Sequence, residues 1–68
     1  MENTKIAFGL KIKELRKQKS YSQNQLAKLT SIDKSYISNI ENGNSNVSLK
    51  IIEKLAKAFE IEIYKLFE

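Results

Sequence analysis

Residues 22–43, which read SQNQLAKLTSIDKSYISNIENG, decide the fold. Ser22 stands three residues before Gln25, and this spacing is the capping-box pattern, in which each of the two side chains bonds the backbone N–H of the other residue at the start of a helix. The pattern predicts a short second helix of about eight residues that begins at Gln23.

A third helix is predicted after only three residues, 31–33. Asp33 is a favourable N-cap, and Asn42-Gly43 ends the helix because glycine adopts positive φ without strain, so the helix is expected over about 34–42. Two short helices joined this tightly cross at a steep angle. The stretch therefore predicts a helix-turn-helix unit over about 23–42.

The apolar residues of this unit predict an inward-facing side made of Leu26, Thr30, Ile32, Ile37 and Ile40. The third helix then keeps on its outer side Lys34, Ser35, Ser38, Asn39 and Asn42. Ser and Asn have modest helix propensity, so they are poor choices for a helix that is merely solvated. They suit base edges, because Asn pairs with adenine through two bonds, Ser donates or accepts one bond, and Lys reaches guanine or phosphate. An ordinary amphipathic helix with a polar face in solvent is the alternative.

The rest of the chain also fits helical spacing. Helix one is predicted over about 5–19, with an apolar stripe of Phe8, Ile12 and Leu15. Ser48 is expected to cap a fourth helix, whose stripe is Leu49, Ile52, Leu55, Ala56 and Phe59. A last short helical segment carries Ile63, Tyr64, Leu66 and Phe67. The expected fold class is all-α, a compact five-helix bundle in a single domain over 1–68 with no sheet.

Composition excludes most other classes of function. Sixty-eight residues, 41% of them hydrophobic, leave room for one small domain and make a deep substrate cleft improbable. The sequence has no cysteine and no histidine, which removes disulfides, the usual zinc sites, thiol nucleophiles and the commonest general base. No enzyme activity, catalytic residue, cofactor or metal site is therefore expected. Without a long apolar run or a signal-peptide pattern at residues 1–4, a cytoplasmic protein with no membrane partner is expected.

The charge is polarised along the chain. Residues 1–40 carry eight basic and three acidic side chains, a net +5, whereas residues 41–68 carry four basic and five acidic ones, a net −1. This split suits a domain that turns one face towards a polyanion and keeps another for itself or a partner. Lysine-rich helices that simply keep a small protein soluble would give the same distribution, so charge alone leaves both explanations open.

The C-terminal segment carries more apolar residues than one small core needs. Within seven residues the sequence places Ile61, Ile63, Tyr64, Leu66 and Phe67. They cannot all face inward from one or two helical turns, so some are expected to be exposed in a monomer and buried in a homodimer. The segment at about 59–68, with these five residues, is therefore the predicted dimer interface. The alternative is that it only closes the base of the bundle.

Three runs of residues occur in a characteristic order. They are Ser22-Gln23-x-x-Leu26-Ala27, then Ile32-Asp33-Lys34-Ser35-Tyr36-Ile37-Ser38-x-Ile40-Glu41-Asn42-Gly43, then Ser48-Leu49 with Leu55-Ala56-Lys57-Ala58. Together they resemble the phage-repressor and Cro type of helix-turn-helix family, also called XRE-like, and the likeness covers the chain from Phe8 to Phe67. Within that family, residues 33–38 and a proline-free Asn46-Val47-Ser48-Leu49 are similar to the controller proteins of restriction-modification systems.

The resemblance implies a protein that binds double-stranded DNA as a two-fold homodimer, with helix three in the major groove. By position, the residues that match the family's DNA contacts are Gln23, Lys34, Ser35, Tyr36, Ser38, Asn39, Asn42, Asn44, Ser45 and Asn46. The base-reading positions among them are Lys34, Ser35, Ser38 and Asn39. Gln23 matches a phosphate contact that also braces the first residue of the recognition helix, and residues 42 and 44–46 match backbone contacts. Arg16 and Glu41 match a structural ion pair between helix one and the end of helix three.

Three positions depart from the family pattern. Ser31 and Glu60 stand where the family commonly has glycine, and Val47 stands where its usual Asn-Pro-Ser-Leu has proline. At Ser31 the backbone must accept a serine where positive φ is usual, or the turn must differ.

The predicted function is a sequence-specific transcriptional regulator, acting as repressor, activator or both on an inverted-repeat operator. A domain of this kind can regulate by occupancy, by cooperative filling of adjacent sites or by contact with RNA polymerase. A second interpretation is an antitoxin-like or adaptor module whose helical surface binds a protein, with DNA binding secondary or absent. A copurifying partner that covers Ile63, Tyr64 and Phe67 would favour that interpretation.

Overall fold

The protein is described by a computed structural model over residues 2–68. In chain order the elements are α1 (Glu2–Gln18), α2 (Gln23–Thr30), α3 (Lys34–Glu41), α4 (Leu49–Phe59) and a 3-10 helix (Ile63–Phe67). The all-α class is confirmed, with no strand between residues 2 and 68, but the count of five α-helices is wrong. The last segment is only five residues long, and such short pieces commonly take the tighter 3-10 pattern.

Two helix boundaries also differ from the expected ranges of 5–19 and 34–42. α1 begins at residue 2 and ends at residue 18. The sequence did not predict the early start, because residues 2–4 are polar and give no apolar signal. α3 ends at residue 41, and Asn42 follows it with ψ near zero, outside the helical range. The predicted span of α2 is confirmed at both ends.

The caps explain where α2 and α4 begin. Ser22 Oγ accepts a bond from the Gln25 N–H at 3.0 Å, and Gln25 Oε1 accepts one from the Ser22 N–H at 2.7 Å, so the capping box is confirmed. Ser48 Oγ accepts from the Ile51 N–H at 3.2 Å, as expected for a cap of α4. Asp33 holds the N-cap position of α3, but its side chain makes no capping bond. The prediction that the Asp33 side chain caps α3 is therefore wrong. The backbone at Asp33 also differs from that at the working cap Ser22, with ψ 138° against 167°.

The core joins all five elements, since α1 packs on α3 and the 3-10 helix, α2 packs on α3 and α4, and α4 packs on the 3-10 helix. All five residues predicted to face inward in the helix-turn-helix unit are buried. The largest side chains that are completely buried are Ile12, Leu26, Ile37, Ile40, Leu55, Phe59 and Leu66. No helix within residues 2–68 has both the length and the apolar character needed to span a bilayer.

The C-terminal segment divides between core and surface. Leu66 is fully buried, which corrects its assignment to the dimer interface: its side chain fills the core of its own chain. Ile61 is half-buried against that core. Ile63, Tyr64 and Phe67 are exposed, in agreement with the expectation that five apolar residues cannot all face inward from so short a segment.

The turn between α2 and α3 is held by two neighbouring residues. Ser31 has φ +59°, so the backbone does accept serine in the left-handed region. Thr30 is buried, and its hydroxyl donates to the Leu26 carbonyl at 2.7 Å and accepts from the Ile32 N–H at 3.2 Å. The second position that departs from the glycine pattern, Glu60, likewise has φ +59°.

Gly9 allows α1 to lie directly against the end of α3. A Cβ at this position would collide with the main-chain oxygen of Ile40 and would lie 2.9 Å from that of Glu41. Backbone carbonyls at a helix end cannot move aside as a flexible side chain can. The absence of a side chain at Gly9 therefore sets the distance between the two helices.

We predict that Gly9→Ala lowers the free energy of unfolding by about 2 kcal/mol, the usual cost of overpacking, although alanine favours helix over glycine by up to about 1 kcal/mol. Urea denaturation followed by circular dichroism measures the change. Lys13→Ala, an exposed substitution in the same helix, is the control and should change stability by less than about 0.5 kcal/mol. A Gly9→Ala variant as stable as the parent would show that the helices can separate without cost.

We predict that Ser31→Gly stabilises the protein by about 0.5 kcal/mol, because relief of left-handed strain exceeds the extra flexibility of glycine in the unfolded chain. Ser35→Gly is the matched control, since it makes the same exchange inside α3 and should destabilise by about 0.5 kcal/mol. Thermal unfolding of both variants tests the sign. Destabilisation by Ser31→Gly would mean that the serine side chain stabilises the fold by more than the left-handed backbone at this residue destabilises it.

Candidate nucleic-acid interface

The outer side of α3 is a polar surface free of internal bonds. Lys34, Ser35, Asn39 and Asn42 are exposed and Ser38 is half-buried. Within the described residues, no hydrogen bond or salt bridge involves the side chain of any of these five. Their donors and acceptors are therefore available to a ligand. The opposite side of α3 is occupied by Ile37, Ile40 and Glu41, which are buried.

The dimensions of α3 match a duplex groove. Eight residues rise by about 12 Å, and a helix with its side chains is about 10–12 Å across. The major groove of B-DNA is about 12 Å wide and admits one α-helix. A helix of this width that enters the groove leaves its flanking residues close to the phosphates on either side.

One flank of α3 is built on the Arg16–Glu41 ion pair. Arg16 Nε donates to Glu41 Oε2 at 2.7 Å and Arg16 Nη2 donates to Glu41 Oε1 at 3.1 Å, so the pair is bidentate. The same guanidinium donates through Nη1 to the Tyr21 carbonyl at 2.9 Å. Glu41 is almost fully buried, with 3% of its side chain exposed. These bonds join α1, the turn before α2 and the end of α3.

Gln23 lies on this flank, at the first residue of α2, and is half-buried. Its Nε2 donates to Glu41 Oε1 at 3.0 Å. The resemblance implied that Gln23 braces the first residue of α3, but in the structure it contacts the last one. The amide is thus oriented through the Arg16–Glu41 pair, and its contact with phosphate stays a prediction.

The loop after α3 is attached to that helix by Tyr36. Tyr36 is half-buried, and its exposed hydroxyl donates to the main-chain oxygen of Asn46 at 3.3 Å. The Asn44 N–H donates to the carbonyl of Asn39 at 2.9 Å. Gly43 takes φ +77°, as expected for a residue that ends the helix. Asn44 and Asn46 are exposed and Ser45 is half-buried. The structure thus shows a packing role for Tyr36, and the predicted contact of Tyr36 with DNA has no observation for or against it.

A second surface lies around the 3-10 helix. The Phe67 ring stacks on Phe8 of α1 with centroids 5.3 Å apart, yet much of it stays exposed together with Ile63 and Tyr64. A cleft of about 360 Å³ opens beside Phe67 between α1 and the 3-10 helix. The structure therefore leaves three of the five predicted interface residues exposed on the 3-10 helix.

Two features of the interface were not identified from the sequence. Thr30 fixes the angle of the turn through its hydroxyl, and its only sequence signal was a place on the apolar stripe. The Tyr21 carbonyl receives the third bond of Arg16, which no side-chain pattern could reveal. Among the side chains of residues 4–68, no cluster of three or more is suited to hold a metal ion.

Comparison with known proteins gives consistent matches. Residues 12–66 match the model of the helix-turn-helix family HTH_3. The control protein C.MunI from Mycoplasma is 44% identical over 98% of this chain and 92% of its own length.

Solved structures show the same fold. The restriction-modification controller protein C.AhdI from Aeromonas hydrophila superposes with a TM-score of 0.89 at 47% identity, over 91% of this chain and 94% of that one. The biofilm regulator SinR, crystallised in complex with DNA, superposes with a TM-score of 0.83 at 35% identity, over 90% of this chain and 98% of that one. With the family model matched over most of its length, this chain belongs to the HTH_3 helix-turn-helix family of transcriptional regulators.

Proposed function

We propose that this protein is a sequence-specific regulator of transcription that binds an inverted-repeat operator as a homodimer, and that it acts as a restriction-modification controller. The observation that carries the proposal is the outer side of α3, which is exposed, polar and free of internal hydrogen bonds. A buried core directly behind it, with Ile37 and Ile40 completely enclosed, gives this surface a fixed position. A helix of this size fits the major groove of B-DNA.

The residues divide by chemistry into those that read bases and those that set position. Base reading is assigned to Lys34, Ser35, Ser38 and Asn39, whose side chains extend outward from α3. Backbone contacts are assigned to Gln23, Asn42, Asn44, Ser45 and Asn46, which lie beside that helix or after it. Tyr36, within α3, is assigned to the DNA interface beside the base-reading residues. The first group is expected to determine which operator is bound, and the second to determine how tightly any duplex is held.

The homodimer is supported by the apolar surface of Ile63, Tyr64 and Phe67. An exposed group of large apolar side chains on so small a protein is a typical interaction site. The protomer measures 29 × 24 × 21 Å, so the centres of two copies side by side would lie 21–29 Å apart. The proposal requires their recognition helices to lie about 34 Å apart, one turn of duplex. A two-fold dimer then binds a palindromic site, because each protomer places its own α3 in one half-site.

The relatives support the controller role. The control protein C.MunI and the controller C.AhdI align with nearly the whole of this chain and of themselves, and SinR was crystallised with DNA. Contact with RNA polymerase remains a prediction of the sequence that no feature of the described residues favours or disfavours.

Selection of bound fragments from a random duplex pool tests the proposal directly. We expect a palindromic consensus whose half-sites are about one helical turn apart. An enriched pool without two-fold symmetry would contradict the dimeric reading of DNA. A protein that enriches no sequence would contradict the proposed function itself.

We predict that Asn39→Ala costs roughly 1–3 kcal/mol of binding free energy on the selected operator and much less on unrelated DNA, because the lost bonds are to a base edge. Fluorescence anisotropy with both duplexes measures the two changes. Gln18→Ala is the control, since it removes an exposed amide from α1 and should leave both affinities unchanged. Equal losses on operator and unrelated DNA would assign Asn39 to the backbone instead.

We predict that Tyr64→Lys shifts the protein towards monomer and weakens operator binding, because burial of an ammonium group in the apolar interface is costly. Tyr64 is 61% exposed, so the fold should tolerate the change. Sedimentation equilibrium measures the dimer, and Leu29→Lys, at a residue 57% exposed on α2, is the matched control.

Two results would contradict the assignment of this surface. A folded Tyr64→Lys variant that stays dimeric would place the interface elsewhere. A different protein that copurifies with the parent chain and is lost from Tyr64→Lys would favour the adaptor interpretation over the homodimer.

A further inference from the structure

A polar cleft of about 310 Å³ lies between the beginning of α1 and the loop after α3. Its lining residues are Lys5, Ile6, Asn42, Gly43 and Asn44. The two walls are in close contact, since a Cβ at Gly43 would lie 2.9 Å from Cγ1 of Ile6. The loop is therefore seated against α1, and the position of Lys5 relative to the loop is fixed by packing.

The backbone donors of the cleft are already used. The N–H groups of Asn42, Gly43 and Asn44 donate to carbonyls within α3 at 2.9–3.0 Å. The groups left to bind a ligand are the Lys5 ammonium and the side-chain amides of Asn42 and Asn44. Among the described side chains, those of residues 4–68, no carboxylate lines the cleft.

Lys5 is half-buried, and it has no counter-ion among the side chains of residues 4–68. The salt bridges within residues 4–68 involve Lys11, Arg16 and Lys19, and none involves Lys5. An ammonium group that has lost part of its water is stabilised when an anion takes the place of that water. A cationic group and two amide donors at the mouth of one cleft favour an anionic ligand with several acceptor oxygens, such as a phosphodiester.

The cleft is placed where a duplex would supply that group. Asn42 directly follows α3 and is exposed. When α3 occupies the major groove, the side of the protein that carries Asn42 would therefore face the phosphates at one edge of the groove. Lys5 and Arg16 are eleven residues apart on α1, a distance of about 16 Å along the helix. Lys5 therefore lies on a different part of α1 from Arg16, whose pair with Glu41 orients Gln23.

We propose that Lys5, with the side-chain amides of Asn42 and Asn44, binds one backbone phosphate of the duplex beside the sequence that α3 reads. The inference rests on the proposed function and adds α1 to the DNA interface. The contact is independent of base sequence, because a phosphate is the same at every step.

The salt dependence of binding tests the contact. Lys5→Gln should reduce the slope of log K against log salt by about 0.9 per half-site, the value for one released counterion on B-DNA. Lys57→Gln is the matched control, because it removes the same charge from an exposed lysine on α4 that forms no salt bridge within residues 4–68. Its slope should equal that of the parent protein. Equal slopes for both variants would overturn the proposal.

Replacement of single operator phosphates by uncharged methylphosphonates locates the contact. We expect one phosphate per half-site whose neutralisation weakens the parent protein several-fold and leaves Lys5→Gln unaffected. If every methylphosphonate weakens both proteins equally, Lys5 does not bind phosphate, although the protein still recognises its operator. If the parent protein shows no operator preference, the proposed function fails and this inference fails with it.

Discussion

The structure depends above all on the bidentate ion pair between Arg16 and Glu41. A carboxylate with 3% of its side chain exposed must be compensated by partners, and loss of one partner from such a buried pair costs about 3–5 kcal/mol. Here the compensation comes from α1 and α2 together, through Arg16 and Gln23. A helix of eight residues such as α3 is unstable alone in water. The end of α3 is therefore held by hydrogen bonds from Arg16 and Gln23 to Glu41. The bond from Gln23 also orients its amide, which is a candidate phosphate contact.

The ion pair in turn requires the close approach of backbones that Gly9 permits. α1 crosses α3 at Gly9, against the carbonyls of Ile40 and Glu41, and Arg16 lies two turns further along the same helix. A side chain at Gly9 would push α1 outward and lengthen the Arg16–Glu41 bonds. The packing constraint and the electrostatic one are thus coupled, because the same two helices satisfy both.

The parts of the fold that follow from local spacing were predictable. Ser22 and Gln25 are three residues apart, so their capping box could be read directly, and the spacing of Ile37 and Ile40 correctly placed the outer side of α3. Features that join distant residues were not predictable. Leu66 turns into the core because α1 and α4 leave space there, and no pattern within its own segment distinguishes it from the exposed Phe67. The Gln23 amide bonds Glu41, eighteen residues away, for the same kind of reason.

The electrostatics of α3 explain why the elements around it matter for binding. Lys34 is the only basic residue on that helix, although duplex affinity comes largely from neutralised phosphates. The serines and asparagine of the outer side can select a sequence but add little attraction for DNA in general. In the proposed complex, affinity therefore has to come from groups on the flanks of α3. The Gln23–Glu41 bond holds one flank in position relative to α3, and the Tyr36–Asn46 bond holds the following loop. Since both bonds end on the same helix, a shift of α3 in the groove would move the base-reading and phosphate-contacting groups together.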